Sequence, residues 1–181
     1  MRELSVTKDN KMTKRLVIVL LGAACVGKTT IENKMIKELG FSPVDITTTR
    51  SARDDDPAHY RFVSDDEFEA TKGFDFTIAP AFKYGYNVLV RDLSVVSFIS
   101  PVNVDEFLDA MKEKDNVVVK VIKLTASEAE MKDCMESRNM ADAYERAKAA
   151  YTGECQIDYT FHRDVALDNI SDIISNYSKE A

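Results

Sequence analysis

VIVLLGAACVGKTTIENKM, the stretch from Val17 to Met35, joins an apolar run to a helical pattern through a short loop that contains glycine. The run from Leu16 to Leu21 is short and apolar, as is typical of a buried strand. From Lys28 to Leu39 apolar residues recur at helical spacing, and Gly40 follows as a stop signal. The stretch therefore predicts a strand, a loop and a helix.

The loop matches the pattern G-x-x-x-x-G-K-[ST] at Gly22, Gly27, Lys28 and Thr29. In this pattern the glycines permit a tight turn, and backbone N–H groups converge on phosphate oxygens. Lys28 can reach the outer phosphates, and the Thr29 hydroxyl can ligate Mg²⁺. A chance match in a glycine-bearing turn is the alternative, but the pattern falls between a predicted strand and a predicted helix, as the mechanism demands. The residues predicted to bind the nucleotide are Gly22, Ala23, Ala24, Cys25, Val26, Gly27, Lys28, Thr29 and Thr30.

The composition limits the possible functions. The 181 residues suit one domain, or a core with a small lobe, and an apolar content of 45% is ample for a packed interior. The 24 basic and 31 acidic residues give a net charge of -7. Because such a surface repels a polyanion, the composition argues against a general nucleic-acid binder.

Cysteines and apolar runs predict a cytoplasmic protein. Cys25, Cys134 and Cys155 are too few and too scattered for a disulfide framework or a four-ligand zinc site. The run Leu16 to Leu21 is too short to span a bilayer. Residues 1–14 are polar and are expected to form a flexible tail.

Strand and helix patterns alternate along the rest of the chain. Further strands are predicted at Val95 to Ile99, Val117 to Leu124 and Tyr159 to His162, and further helices at Val104 to Lys114, Ser127 to Arg138, Ala141 to Cys155 and Val165 to Tyr177. This alternation predicts an α/β fold with a parallel sheet covered on both faces.

Three helix starts are predicted from a capping residue followed three positions later by glutamate. The pairs are Ser64 with Glu67, Asn103 with Glu106, and Ser127 with Glu130. Between the first helix and Val95 the sequence is polar and aromatic without a strong period, which predicts a small insertion lobe.

The segment TTTRSARDDDPAHYRFVSDDEF, Thr47 to Phe68, resembles the monophosphate-binding lobe of guanylate kinases. Two arginines three apart are followed by a tyrosine, an aromatic residue and the start Val-Ser-x-x-x-Phe. The resemblance continues through FDFTIAPAFKYGY and SRNMADAYERAKAA, and it extends from Leu16 to about Tyr177. It implies a P-loop kinase fold over residues 15–181, with a monophosphate-binding lobe at about 42–92 and a helical lid at about 134–148.

The resemblance also implies roles for single residues. Arg50, Arg53, Tyr60 and Tyr84 would hold the phosphate of an acceptor monophosphate, a task suited to the rigid paired donors of arginine. The alternative is that Arg50 and Arg53 only offset the acidic residues that follow them on a solvated surface.

Arg138 and Arg146 match the lid arginines that close over the phosphates, and with Lys28 they are the expected catalytic residues. As alternatives, Arg138 would be a cation at a helix C-terminus and Arg146 an exposed partner of Asp142.

Departures from the family pattern concern mainly the base. The loop between Arg53 and Tyr60 is short, and Cys134 stands where the lid often carries another arginine. Three positions are expected to face the base: Asp75 replaces the usual glutamate, Tyr86 a small hydroxyl residue, and Ser100 aligns with a strand-end aspartate. Because such changes should alter base recognition, the sequence does not assign the base of the acceptor nucleotide.

The resulting interpretation is an ATP- and Mg²⁺-dependent nucleoside-monophosphate kinase. GMP or dGMP is the leading acceptor, and a pyrimidine or modified deoxynucleotide is the next. A kinase for a phosphorylated sugar and a non-catalytic nucleotide-binding module are the competing functions. The expected partners are small-molecule nucleotides, without nucleic acid or membrane, and the chain is expected to be a monomer or a homodimer.

Overall fold

The computed structural model of the chain describes residues 14–54, 56–79, 82–88, 91–137 and 153–180. In chain order the elements are β1 (Arg15–Leu21), α1 (Lys28–Leu39), β2 (Ser42–Pro43), β3 (Asp45–Thr48), β4 (Tyr60–Phe62), α2 (Asp65–Ala70), β5 (Phe76–Ile78), β6 (Tyr84–Asn87), β7 (Leu93–Phe98), α3 (Pro101–Lys112), β8 (Val117–Thr125), α4 (Glu128–Ser137), β9 (Tyr159–His162) and α5 (Ala166–Glu180). Within these ranges, no helix combines the length and apolar character needed to cross a bilayer.

The main sheet has five parallel strands in the order β2-β7-β1-β8-β9. Strand β1 lies in the middle, where Val19 pairs with Val96 of β7 and Val121 of β8. Six of its seven residues are buried, because a strand paired on both sides and covered on both faces has no polar surface. The predicted α/β fold, a central parallel sheet flanked by helices, is confirmed.

The two faces of β1 belong to two apolar cores. Leu16, Ile18 and Leu20 pack with Ile31 and Met35 of α1 and with Ala166 and Ile170 of α5. Val17, Val19 and Leu21 point the other way, since side chains alternate along a strand, and pack with Val104, Phe107 and Met111 of α3.

A second, mixed sheet has four short strands in the order β4-β3-β6-β5. It lies within the stretch 42–92, although Ser42–Pro43 pairs with β7 in the main sheet. One face of this sheet packs on the α3 core through Ile46, Tyr60, Phe76, Tyr84 and Tyr86. We call this four-stranded sheet with its loops the lobe.

Most predicted elements are confirmed. The strands at Leu16, Val95, Val117 and Tyr159 and the helices at Lys28, Val104, Ser127 and Val165 all form, with ends within a few residues of those predicted. The capping boxes at Ser64 and Ser127 also form: in each, the serine hydroxyl accepts from the glutamate N–H while the glutamate carboxylate accepts from the serine N–H.

Two predictions about helix ends are wrong. Asn103 does not begin α3, which starts at Pro101 with Ser100 as the N-cap, because proline is pre-organised for the first helical position. The helix predicted from Ala141 to Cys155 does not include its last three residues, since Gly153 has φ 87 and no helix continues to Cys155. The rest of that helix, and residues 1–13 of the predicted tail, lie outside the described residues.

Phe107 ties the lobe to the main sheet. Its ring lies 5.3 Å from that of Phe98 on β7 and 5.9 Å from that of Phe76 on β5. Because it is fully buried, Phe107→Ala is expected to lower the unfolding free energy by about 3 to 5 kcal/mol. The matched change Phe82→Ala, at a ring that is 48% exposed, should cost less than about 0.5 kcal/mol. Denaturant unfolding measures both, and equal losses would contradict this packing.

Candidate functional site

The predicted phosphate loop lies at the carboxyl end of the central strand. Gly22 directly follows β1, and a Cβ atom there would lie 2.7 Å from Val26 Cγ1 and 3.0 Å from the backbone oxygen of Leu124. Because that oxygen belongs to the neighbouring strand and cannot move aside, no larger residue fits. The first glycine of the motif is therefore needed to bring the loop close to the sheet.

Gly27, the second glycine of the motif, is the N-cap of α1 and has φ 99, a left-handed conformation that favours glycine. Gly27 has no side chain to cap the helix, and the first turn of α1 contains no acidic residue. Helix α2 differs, since Ser64 caps it and Asp65, Asp66 and Glu67 fill its first turn. The first turn of α1 thus contributes no carboxylate that would oppose its positive dipole end, which favours an anion site.

Lys28 folds back over the loop. Its Nζ donates hydrogen bonds to the carbonyl oxygens of Gly22 at 2.7 Å and Ala23 at 2.8 Å. Thr29 follows it in the first turn of α1 and is partly exposed, so a hydroxyl suited to Mg²⁺ stands beside the lysine. The remaining predicted loop residues lie around them: Ala23, Ala24 and Cys25 are partly exposed, Val26 is buried, and Thr30 is exposed on the helix.

Arg163, which the sequence analysis did not single out, lies against this loop. Its Cδ would be 3.4 Å from a Cβ on Gly27, and its guanidinium donates to the Glu130 carboxylate at 2.8 Å. No motif marks Arg163, because it reaches the loop only through the parallel pairing of β8 with β9. It adds a cation at the same edge of the sheet.

A group of possible metal ligands lies beside Arg163 and consists of Glu130, His162 and Asp164. The Ser127 hydroxyl and N–H both donate to the Glu130 carboxylate and, with Arg163, hold the pKa of Glu130 at about 2. Since this carboxylate already serves as a helix cap and an ion-pair partner, the arrangement is explained without a metal.

Arg50 is a nearly buried arginine in the loop after β3. Its two terminal nitrogens donate to the two oxygens of the Asp56 carboxylate at 2.8 and 2.6 Å. Its guanidinium carbon lies 5.5 Å from the ring centre of Tyr60 and 5.1 Å from that of Phe62. The paired hydrogen bond raises the pKa of Arg50 and lowers that of Asp56, so both groups are firmly charged.

Arg53 shares the Asp56 carboxylate through its main chain, with its N–H donating at 2.6 Å, while its side chain is exposed. The Asp56 carboxylate is thus bonded to both ends of the segment from Arg50 to Arg53. The alternative that acidic residues offset these arginines on a solvated surface is half right for Arg50, because Asp56 is its partner but the pair is nearly buried. Only the guanidinium of Arg50 and the backbone N–H of Arg53 reach this carboxylate, so binding of an acceptor phosphate by both side chains stays a prediction.

The tyrosines of the lobe share one face of its sheet. Tyr60 and Tyr86 both pair with Ile46, and Tyr84 pairs with Thr48 two residues along the same strand. Tyr84 is half-buried, whereas Tyr86 is only 3% exposed and lies 5.5 Å from the ring of Phe76 and 5.3 Å from that of Phe98. Tyr86 was expected to face a base, but its ring is a core side chain. Burial raises its phenol pKa well above the usual value.

Asp75 and Ser100 were also expected to face the base. In the structure Asp75 forms hydrogen bonds with other protein groups, and Ser100 lies at the start of a helix. One Asp75 oxygen accepts the backbone N–H of Val88 at 2.7 Å, and the other accepts from Lys114 Nζ at 2.8 Å. Ser100 is the N-cap of α3, just beyond the end of β7. The Asp75 carboxylate therefore joins the lobe to the turn between α3 and β8.

The lid arginines Arg138 and Arg146 lie outside the described residues, as does most of the predicted lid. Cys134 lies within α4 and is partly buried. The roles of the two arginines remain predictions from the resemblance.

A buried polar cluster lies between α1, β7 and the lobe. Glu32 of α1 is 3% exposed and accepts a hydrogen bond from Ser97 Oγ at 2.6 Å. His59 Nε2 lies 3.1 Å from the other Glu32 oxygen. No sequence pattern singles these residues out, because Glu32 stands among polar helix residues and its partners come from distant segments.

No protein-family model and no curated protein sequence matches the chain. Among solved structures, the guanylate kinase from Anaplasma phagocytophilum is similar, with a TM-score of 0.57 and 19% sequence identity. The match covers 93% of this chain and 86% of that one. At this identity the likeness shows a guanylate-kinase-like fold.

Gly27→Ala and Gly40→Ala form a matched pair, because both glycines have positive φ, 99 and 73. Each alanine should cost on the order of 1 to 2 kcal/mol of unfolding free energy. Only Gly27 belongs to the predicted phosphate loop, whereas a Cβ on Gly40 meets nothing within 4 Å. Gly27→Ala should therefore weaken ATP binding roughly tenfold or more while Gly40→Ala leaves it unchanged. Calorimetric titration with ATP checks this, and equal affinities would contradict the loop assignment.

Proposed function

We propose that this protein is an ATP-dependent nucleoside-monophosphate kinase of the guanylate-kinase type. In this reaction the terminal phosphate of ATP passes in line to a ribo- or deoxyribonucleoside monophosphate, with GMP or dGMP as the leading acceptor. The observation that carries the proposal is the phosphate-loop motif at the carboxyl end of the central parallel strand, where Gly22 lies against Leu124 and Lys28 spans the loop. The likeness of the fold to a guanylate kinase supports it.

The donor half of the site consists of the loop and the start of α1. Backbone N–H groups of the loop and the dipole of α1 would bind the phosphates of ATP. Lys28, now bonded to loop carbonyls, has three ammonium donors and can turn one toward the outer phosphates. Thr29 is the residue that would hold Mg²⁺, which when bound neutralises charge that develops on the transferred phosphate.

The acceptor half uses the lobe. Arg50 and Arg53 would bind the phosphate of the monophosphate. The Asp56 carboxylate, which accepts from the Arg50 guanidinium and from the Arg53 backbone N–H, supports an anion position in this loop. Tyr60 and Tyr84 present phenols on the same sheet face. The catalytic lid arginines would be Arg138 and Arg146, since positioned cations supply most of the acceleration in phosphoryl transfer.

Other acceptors and functions give different outcomes in one assay. A pyrimidine or modified deoxynucleotide kinase would share both halves of the site, and a kinase for a phosphorylated sugar would share the donor half. A non-catalytic module would bind ATP without turnover. We further propose a cytoplasmic monomer or homodimer that works on small-molecule nucleotides.

The direct test measures ADP formation from ATP with a panel of ribo- and deoxyribonucleoside monophosphates and phosphorylated sugars. We expect turnover with at least one monophosphate, and we expect Lys28→Ala to lower that turnover roughly a hundredfold or more. Circular dichroism checks that the variant is folded. Unchanged turnover in the variant, or no turnover with any acceptor, would contradict the proposal.

Arg53→Ala tests acceptor binding, with Arg61→Ala as its matched control. Both side chains are exposed, but Arg61 alternates with Tyr60 and Phe62 and so lies on the opposite face of the lobe sheet. Arg53→Ala should raise the KM for the monophosphate roughly tenfold or more, because it removes a phosphate contact present throughout the reaction.

The KM for ATP should stay unchanged in both variants, and Arg61→Ala should leave the acceptor KM within about twofold of the unmodified value. Initial rates at varied acceptor concentration give these constants. Equal effects of the two substitutions on the acceptor KM would mean that the overall charge of the lobe determines acceptor binding, and would contradict a direct contact between Arg53 and the phosphate.

A further inference from the structure

Glu32 is a carboxylate in an unusual place. In the part of the chain that the structure describes, it is the only buried acidic residue, with 3% of its surface exposed. One oxygen accepts from the Ser97 hydroxyl at 2.6 Å. A buried carboxylate is costly unless its oxygens are paired, so the surroundings of its second oxygen matter.

That second oxygen has an incomplete partner. His59 Nε2 lies 3.1 Å away, with 7% of the His59 side chain exposed, yet this nitrogen makes no hydrogen bond of acceptable geometry. The two atoms are near each other but not aligned. A polar nitrogen buried in this way costs free energy, and a ligand that offers an acceptor atom to it would recover that cost.

The cluster lies between the two halves of the proposed site. Glu32 is one helical turn beyond Lys28, on the helix that begins at the phosphate loop. Ser97 is the residue before the last one of β7. His59 directly precedes Tyr60, whose ring lies beside Arg50 of the acceptor loop.

Two tyrosines of the lobe, Tyr60 and Tyr86, interact electrostatically with the same carboxylate. Burial raises the phenol pKa values of Tyr60 and Tyr86, and in both cases the charge of Glu32 raises the pKa further. Glu32 is thus close enough to both phenols to interact electrostatically with them. Asp75, the acidic residue that was expected to read the base, is committed to Val88 and Lys114. Glu32 is a carboxylate that lies against the lobe and is bonded to Ser97 instead of to a lysine.

We propose, resting on the kinase function above, that Glu32 and His59 are the specificity-determining residues that read the acceptor base, with Ser97 as the residue that positions the Glu32 carboxylate. A carboxylate accepts hydrogen bonds only, and an imidazole N–H donates one. Together they complement a base edge on which an acceptor stands next to N–H donors. Guanine has this edge, with O6 beside N1–H and the N2 amino group.

Other bases fit this pair less well. Adenine and cytosine place an unprotonated ring nitrogen beside the amino group, and that nitrogen would face the carboxylate. Uracil and thymine have a ring N–H between two carbonyls, one of which would be repelled by Glu32. Because leaving a buried polar group unmatched costs on the order of 1 to 3 kcal/mol, Glu32 selects a guanine nucleotide over the others.

The same contacts could instead serve only to fasten α1 to the lobe. In that case the loss of Glu32 would lower stability and would affect all acceptors equally. Glu32→Gln separates the two roles, because the amide keeps the size and can still accept from Ser97, but it replaces one acceptor by a donor.

The experiment measures kcat/KM for GMP, dGMP, AMP, CMP and dTMP with Glu32→Gln, Ser97→Ala and the control Ser94→Ala. Ser94 is buried on the same strand, three residues away, and accepts only a local backbone N–H in the contacts observed. Glu32→Gln should reduce the preference for GMP over the other bases roughly tenfold or more. Ser97→Ala should reduce it in the same direction by less, and Ser94→Ala should leave the ratios unchanged.

Calorimetric binding of GMP without ATP provides a second measurement, which does not depend on turnover. GMP binding that weakens in Glu32→Gln supports the base reader even if phosphoryl transfer were absent, and that absence would contradict the kinase function alone. Turnover with unchanged base ratios in Glu32→Gln, or a preference of the unmodified protein for another base, overturns the base reader and leaves the kinase function in place.

Discussion

The close approach of Gly22 to the backbone of Leu124 is the constraint on which the candidate site depends. Strand β1 is held between β7 and β8, so its carboxyl end cannot shift relative to its neighbours. The loop must leave the sheet where a Cβ would meet the Leu124 oxygen at 3.0 Å. This fixes the direction in which the loop turns and the place where α1 begins. Lys28, Thr29 and, one turn later, Glu32 then take positions set by the helix period.

The aromatic side chains set a second constraint, since they determine where the lobe rests on the sheet. Phe76 and Tyr86 of the lobe pack against Phe98 of β7 and Phe107 of α3. Because protein interiors are closely packed, these ring contacts fix the position of the lobe. Its inner face lies next to the end of β7. His59 then meets Glu32 although the two belong to different layers. The packing that looks purely structural thus assembles the polar cluster proposed to read the base.

The main sheet and the phosphate loop could be predicted because their signals are local: a continuous apolar run, a glycine-spaced motif and a helical period. The lobe strands could not, since strands of three or four residues with aromatic side chains lack a readable alternation. Asp75 and Tyr86 were assigned to the base by position in the resemblance, yet tertiary packing gives one to Val88 and Lys114 and the other to the core. Glu32 was overlooked because burial of a carboxylate depends on partners that only the fold brings near.

Arg50 shows how a nearly buried guanidinium is kept stable in this fold. An arginine that is only 9% exposed needs a counter-charge, since an unpaired buried charge costs several kcal/mol. Asp56 supplies it with a bidentate pair and also holds the Arg53 backbone. In the proposed reaction an acceptor phosphate, with more charge and more acceptor oxygens than a carboxylate, would compete with Asp56 for the same donors. The net binding free energy of the phosphate is then the difference between the arginine–phosphate pair and the arginine–Asp56 pair. Arg50 stays charged and ordered without the phosphate, and the phosphate can leave again after the reaction.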